Sequence, residues 1–268
     1  MSEPYRFTPG TAPMLVSMPH VGTEVPAAIA ARFTEAAGPL PDTDWHVDRL
    51  YDFLDDLSVS VIAATQSRYV VDLNRPPDDE PLYPGASNTG LCPATTFDGA
   101  AIYRAGAEPD AAEIAERRET YWRPYHECLR TELDAIRARF GIAILWDAHS
   151  IRSHVPRFFE GRLPDLNFGT GGGGSADPKL LAVLEDAAAG TAGYSWVSNG
   201  RFKGGAITRT YGDPDWGIRA VQLELSQVTY MSEAAPYRFR EGLAAGIRPV
   251  LRQLVEATLD WANRKARA

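Results

Sequence analysis

His149 stands two residues after Asp147 in GIAILWDAHSIRS, where a run of apolar residues closes on an acid and an imidazole. Residues two apart on a strand share a side, so the carboxylate can orient the ring from behind, as metal-bound histidines usually require. His20 follows another apolar run, at PHVG, and His46 lies in DTDWH at the head of a helix-like stretch. Three imidazoles that leave a fourth position for water suit zinc. Glu224 sits among apolar neighbours in AVQLEL, where a carboxylate must be paired, protonated or metal-linked. It is a candidate general base, and Arg68 and Arg75 are candidate anion or oxyanion groups. Metal, base and cation together are what amide hydrolysis needs. The other two histidines read differently: His126 lies inside a long helix as a packing residue, and His154 faces solvent from a polar loop.

The elements that must position these residues follow from periodicity. Residues 142–146 are apolar on both faces, with β-branched members, which fits a strand covered by helices on both sides of a sheet. In such sheets chemistry collects beyond the carboxyl ends of the strands. Residues 13–18, 59–65, 69–73 and 220–225 read as further strands, so Arg68 and Arg75 bracket one of them. Residues 42–57 place Val47, Leu50, Tyr51 and Leu54 at helical spacing behind a cap at Asp42 or Asp44. Residues 109–140 carry an apolar stripe from Ile114 through Tyr125 and Leu133 to Ile136, with a kink at Pro124. A helix spans about 177–189, and a terminal helix over 235–266 turns Leu243, Ile247, Leu251, Leu254 and Leu259 towards the sheet. Residues 76–103, rich in Pro, Gly, Asp and Thr, read as a loop covering a site. The GTGGGGS run has no following Lys-Ser or Lys-Thr and no strand leading into it, so it reads as flexible backbone and not as a phosphate loop. Arg201, Lys203 and Arg209 in NGRFKGGAITRTYG present cations to an anionic ligand.

Composition narrows the class. At 268 residues, with 44% hydrophobic and 23% charged residues, the chain reads as a single domain over 1–268. A net charge of −8 argues against a nucleic-acid surface while leaving room for a local cationic pocket. Cys92 and Cys128 form no CxxC pair and fit a reducing compartment. MSEPYRFTPG has no apolar leader core, and no apolar run approaches the roughly 20 residues of a membrane span. The expectation is a soluble cytoplasmic protein with no membrane partner.

The strings PHVG, DTDWHVDRLYDF, SRYVVDLNRP, LWDAHSIRS, PDLNFGT, NGRFKGG and LELSQ, in this order, resemble the N-formylglutamate deformylase (N-formylglutamate amidohydrolase) family of bacterial histidine degradation over nearly the whole chain. Through that family the chain looks related to zinc carboxypeptidase-like and aspartoacylase-like hydrolases. The resemblance implies an α/β fold of that kind (phosphorylase/hydrolase-like), with a mixed, mostly parallel central sheet and helices on both faces. It implies one Zn2+ per chain, other divalent metals being possible, held by His20 and His149, with Asp147 orienting His149. The wider superfamily takes its second ligand from a Glu three residues after the first His, a position that here is Thr23. His46 fills that place in this reading, with Glu24, Asp44 and Asp48 as alternatives. The implied reaction is hydrolysis of a small anionic substrate, N-formyl-L-glutamate, to formate and L-glutamate by a metal-activated water. Glu224 is then the base and Arg68 the oxyanion partner. Asn74 and Arg75 grip one substrate carboxylate, and Arg209, followed by Arg201 and Lys203, the other. The alternatives are a hydrolase of another N-acyl amino acid (aspartoacylase-like or succinylglutamate desuccinylase-like), a C-terminal peptidase, or a non-catalytic binding module that keeps the fold.

Overall fold

Apolar runs covered on both faces build the centre of the sheet in the computed structural model, which describes residues 3–80 and 89–266. The strands are β1 (Tyr5–Thr8), β2 (Met14–Met18), β3 (Ser60–Ala64), β4 (Ala143–Ile151), β5 (Leu166–Gly169), β6 (Trp196–Ser198) and β7 (Ile218–Ser226). They lie in the order β1-β3-β2-β4-β7-β5-β6. The central β3, β2, β4 and β7 are parallel, while β1 joins β3 and β5 joins β7 antiparallel. Every residue of β2 and β4 is buried, as a strand between two helical layers must be.

The helices are α1 (Ala27–Ala30), α2 (Val47–Leu50), α3 (Ala111–Arg117), α4 (Arg123–Phe140), α5 (Pro178–Ala189), α6 (Ala206–Tyr211) and α7 (Glu241–Ala266). On one face Leu180 and Leu184 of α5 and Leu251 and Leu254 of α7 pack with Val16, Trp146 and Val221. On the other, Leu129 and Leu133 of α4 and Ile207 of α6 pack with Leu15, Leu145 and Ala220. The mixed, mostly parallel sheet with helices on both faces is the architecture expected. No helix among the described residues is long and apolar enough to cross a membrane.

Several local expectations are corrected. Residues 42–57 form only the short α2 and a 3-10 turn at Asp52–Leu57, and neither Asp42 nor Asp44 caps them. Asp42 instead accepts from the Tyr69 hydroxyl at 2.6 Å and the Phe97 N–H at 2.8 Å. Leu243 is 43% exposed, because α7 begins at Glu241 and Leu243 lies on its outer side, whereas Ile247, Leu251, Leu254 and Leu259 are buried. The 109–140 stretch is α3 and α4 joined by a π turn at Arg118–Trp122, with Pro124 placed in the first turn of α4, where its missing N–H has no helical partner to lose. His126 is buried and His154 exposed, as expected. A strand does lead into the glycine run, since β5 ends at Gly169, and residues 171–173 then adopt φ of 62°, 73° and 98° in a turn, a conformation open to glycine.

Residues 69–73 are not a strand but a turn followed by irregular chain. Their apolar side chains are buried all the same, Tyr69 and Val70 in one cluster and Val71 and Leu73 in another, which is why they imitate a β run. Side chains replace the missing ladder. The carbonyl of Tyr69 accepts from the Tyr103 hydroxyl, that of Val70 from Arg117, that of Leu73 from His126 and that of Arg75 from the Trp122 indole. Arg117, Trp122 and His126 flank or end the π turn, so this helix pair is a clamp on the segment carrying Arg68, Asp72, Asn74 and Arg75. Of the expected covering loop over 76–103, residues 81–88 lie outside the described residues, while Thr89 packs on Arg75 and Phe97 under Arg68.

His126 donates from Nε2 to Leu73 O at 2.8 Å and is stacked between Trp122 and Tyr211. Burial, only partly opposed by the Leu73 carbonyl and Asp147, lowers its pKa from 6.5 to about 4. A depressed histidine pKa contributes stability that is fully present above the unfolded value and is lost as pH falls through the folded one. Between pH 6.5 and about 4 the protein should therefore lose on the order of 3 kcal/mol through this group. Urea titrations at pH 7 and pH 5 should show that His126→Gln is less stable at pH 7 but has the flatter pH slope; an unchanged slope refutes the assignment.

Candidate metal centre

One face of the sheet changes character along its strands. In β4 and β7 the register pairs Leu145 with Ala220, Asp147 with Gln222 and His149 with Glu224, and β2 sets Ser17 beside Asp147. Alternation along the strands puts all these residues on the face covered by α4 and α6. Its amino-terminal half is therefore apolar core and its carboxyl-terminal half carries chemistry. Asp147 and His149 lie within β4, which extends to Ile151 and does not stop at Trp146.

Two imidazoles and a carboxylate converge at that end. His20 follows β2 in a turn, and its carbonyl accepts the Asp44 N–H at 3.0 Å, which draws Asp44 to the sheet. Asp44 Oδ2 lies 3.1 Å from His149 Nδ1 and 3.7 Å from His20 Nδ1, and also accepts the Ser150 N–H at 3.1 Å. Each ring is backed on its far nitrogen by a second carboxylate: His20 Nε2 meets Asp72 Oδ1 at 2.7 Å and His149 Nε2 meets Asp147 Oδ2 at 3.1 Å. Asp147 is itself held by the Ser17 hydroxyl at 3.0 Å.

The donor set fits a divalent cation. Ligand atoms of His20, Asp44 and His149 all lie within 4.8 Å of one another, and all three residues are buried. Imidazoles whose remaining N–H is fixed by a carboxylate are the usual form of metal-binding histidine. Charge points the same way: Asp44, Asp72, Asp147 and Glu224 are buried together with Arg68 as the buried guanidinium among them. Burial pushes Asp44 up, yet hydrogen bonds from His149 and His20 hold it below the usual carboxylate range. Burial disfavours a charged His149, and the neighbouring Asp147 and Asp44 carboxylates outweigh this and raise it well above the ordinary value. A cation would neutralise the same excess of negative charge.

His46 is not in this group. Residue 46 sits at φ 64°, left-handed, just before α2, and its Nε2 donates to Tyr237 O at 2.7 Å while its ring meets the edge of Phe239. Of the alternatives, Glu24 is exposed and takes a hydrogen bond from Gln66, and Asp48 pairs with Arg6 at the surface. Asp44 is the member of that set which the structure brings to the histidines.

A cleft of about 640 Å³, part of it open to solvent, lies in front of the group. Arg68 lines it, anchored through Nη2 on Asp72 Oδ2 at 2.6 Å and lying over the Phe97 ring. Asn74 lines it too, with Oδ1 accepting the Ile207 N–H and Nδ2 placed 3.0 Å from His149 Nε2. Arg75 reaches the cleft while donating to Thr89 O and Oγ1 at 2.7 Å each. The loop cations separate: Arg201 lines the cleft, donating from Nε to Phe158 O, whereas Arg209 and Lys203 are exposed and outside its lining. Arg209 points back to Gly204 O because α6 turns its outer side to solvent. Glu224 faces the cleft and is 7% exposed. Burial pushes its carboxyl up to about 8; Asp44 and Asp147 add to this, while His149 and Arg68 oppose it.

Sequence reasoning missed Asp72, which joins His20 to Arg68, and Gln222, which donates from Nε2 to Glu224 Oε2 at 3.1 Å. Asp72 carried one usable signal, its i+4 spacing from Arg68. Burial raises Asp72, but Arg68 and His20 hold it well below the usual range.

Comparison with known proteins follows the same lines. Residues 12–231 match the model of the N-formylglutamate amidohydrolase family. The chain is 53% identical to an N-formylglutamate deformylase of Pseudomonas aeruginosa, covering 99% of both chains, and 53% identical to one of Pseudomonas putida, covering 97% of both. It superimposes on the crystal structure of an N-formylglutamate amidohydrolase from Ralstonia eutropha with a TM-score of 0.81 at 26% identity, covering 98% of both chains. A protein of Agrobacterium tumefaciens shares the fold, with a TM-score of 0.71 at 18% identity and 97% and 96% coverage.

Calorimetric titration of the chelator-treated protein with Zn2+ checks the ligand set. Asp44→Asn and His149→Ala should each weaken binding by more than about 100-fold, and Asp147→Asn by about 10- to 100-fold. His46→Ala should bind as the wild type does. Loss of binding in His46→Ala with retention in Asp44→Asn would reverse the assignment.

Proposed function

Because the chain belongs to the N-formylglutamate amidohydrolase family, we propose that this cleft hydrolyses N-formyl-L-glutamate to formate and L-glutamate, with zinc as the cation held by His20, Asp44 and His149. The observation that carries the site assignment is the register of β4 and β7, which sets Glu224 directly beside His149 on the cleft face. A zinc ion in such a donor set supplies a Lewis acid and lowers the pKa of water from 15.7 towards about 7.

The chain's own groups supply the rest. Glu224 takes a proton from the attacking water as its oxygen adds to the formyl carbon. The same carboxyl then returns the proton to the amide nitrogen as the C–N bond breaks, so formate and a free amine leave with atoms balanced. A carboxyl held near 8 by burial is suited to both transfers, since a general base works best with a pKa close to the operating pH, and a nearby cation would lower that value and favour the carboxylate form. Arg68, fixed by Asp72 and stacked on Phe97, turns its charge towards the oxyanion that develops on the formyl oxygen. Arg75 and Asn74 take one glutamyl carboxylate. Arg201 takes the other in preference to Arg209 or Lys203, because it lines the cleft and they do not.

In this reading the whole chain, 1–268, acts as one domain in the cytoplasm, in bacterial histidine degradation. The free Cys92 and Cys128 are in keeping with a reducing compartment. A hydrolase of larger N-acyl groups is the competing reading within the same architecture.

Formate release from N-formyl-L-glutamate is the direct assay, run beside N-acetyl- and N-succinyl-glutamate, and the formyl substrate should be turned over fastest. Glu224→Gln should keep its zinc and lose about 10²- to 10⁴-fold in kcat. Arg68→Ala should lose about 10²- to 10³-fold in kcat, and Arg201→Ala should mainly raise KM. Near-normal kcat in zinc-loaded Glu224→Gln rules out its role as base, and faster turnover of the succinyl compound rules out the substrate.

A further inference from the structure

Glu224 needs more than burial to serve as a base, because a carboxyl on a flexible side chain has two oxygens and must present the right one. The hydrogen bond from Gln222 Nε2 to Oε2, at 3.1 Å, is the one that holds the Glu224 carboxyl among the described residues. Gln222 is itself oriented: its Oε1 accepts the Gly205 N–H at 2.6 Å. A backbone N–H can only donate, so the amide has one orientation, with oxygen towards Gly205 and nitrogen towards Glu224. Gln222 is 4% exposed and lies opposite Asp147 in the register, so it also stands between two carboxyls on one face of the sheet.

Gly205 is fixed from its other side. A Cβ there would lie 2.2 Å from Asn74 Nδ2 and 2.4 Å from Asn74 Oδ1, so the close approach of these residues requires glycine. Four residues thus form one chain of contacts: Asn74 against Gly205, Gly205 onto Gln222, and Gln222 onto Glu224. Gly205 ends the loop segment that carries Arg201 into the cleft.

We infer that Gln222 is a positioning residue for the reaction: it fixes Oε2 of Glu224, leaves Oε1 to face the cleft, and ties the base to the loop that carries Arg201. The inference rests on the reading of Glu224 as the base. Because the amide does not titrate and Oε2 accepts from it whether Oε1 is protonated or not, the same geometry serves both the uptake and the return of the proton. Gln222 lines the cleft beside Glu224, and its described side-chain bonds run to Glu224 and to the Gly205 N–H and not to a candidate metal ligand, so its effect on Glu224 has to be separated from its effect on the loop.

Three variants of the zinc-loaded protein test this with N-formyl-L-glutamate, alongside zinc content and thermal melting to establish folding. Gln222→Met keeps the volume and removes both bonds; it should lower kcat about 10- to 100-fold with KM nearly unchanged. Gln222→Glu keeps an acceptor for Gly205 but, once ionised, has no donor for Glu224, so above the pH at which the new carboxyl loses its proton it should be no more active than Gln222→Met. In a Glu224→Gln background, Gln222→Met should add little to the loss already present. Recovery of wild-type kcat in Gln222→Glu would show that the residue only braces the loop, and a rise in KM at constant kcat, or an equal further loss in the Glu224→Gln background, likewise overturns the inference. An undiminished kcat in Glu224→Gln overturns the base assignment itself, whereas a large loss there beside an unaffected Gln222→Met overturns the positioning role alone.

Discussion

The burial of one carboxylate oxygen, Asp44 Oδ2, against two imidazole nitrogens is the contact around which this end of the molecule is arranged. Four buried carboxyls beside one buried guanidinium make a charge distribution that apolar packing cannot stabilise. Hydrogen bonds account for part of it. Asp72 is shared by His20 and Arg68, and Asp147 by Ser17 and His149. The two Nδ1 atoms and Asp44 Oδ2 converge at one point, which is where a divalent cation would take the place of the imidazole protons.

The scaffold serves that arrangement from two directions. The register of β2, β4 and β7 delivers Ser17, Asp147, His149, Gln222 and Glu224 to one face without any loop having to be ordered. The residues on irregular chain are secured differently, by Tyr103 and by side chains of α3, α4 and the π turn between them, which bond to the carbonyls of Tyr69, Val70, Leu73 and Arg75 in the segment carrying Arg68, Asp72, Asn74 and Arg75. Rigid strands hold His149, Gln222 and Glu224, and a clamped segment holds the charged residues that surround them. His126 belongs to the clamp, which gives a buried, neutral histidine a function close to the site but outside it.

What could be read from the sequence follows from how strongly each element is over-determined. β2, β4 and β7 are apolar on both faces, and burial on both sides is a signal carried by composition alone, so the placement of His20, His149 and Glu224 near strand ends was legible. Residues 69–73 carry the same signal for another reason, burial between two clusters, and periodicity cannot tell that from a strand. Taking them as a strand hid Asp72. The DTDWH stretch puts His46 ahead of Asp44 by placing it at the start of a helix; the left-handed residue 46 and the late start of α2 are backbone choices with no composition signature. The choice among Arg201, Lys203 and Arg209 was equally closed to sequence, since it depends on where α6 begins.

The central claim is the position of the cation, and an anomalous difference map from crystals of the zinc-loaded protein, recorded on both sides of the zinc absorption edge, tests it most directly. The account predicts a single strong peak within bonding distance of His20 Nδ1, His149 Nδ1 and an Asp44 oxygen, with Asp72 and Asp147 on the far nitrogens of the rings and His46 still bonded to Tyr237 O. A peak that takes His46 as a ligand, or one bound to the ring nitrogens that now face Asp72 and Asp147, would contradict it.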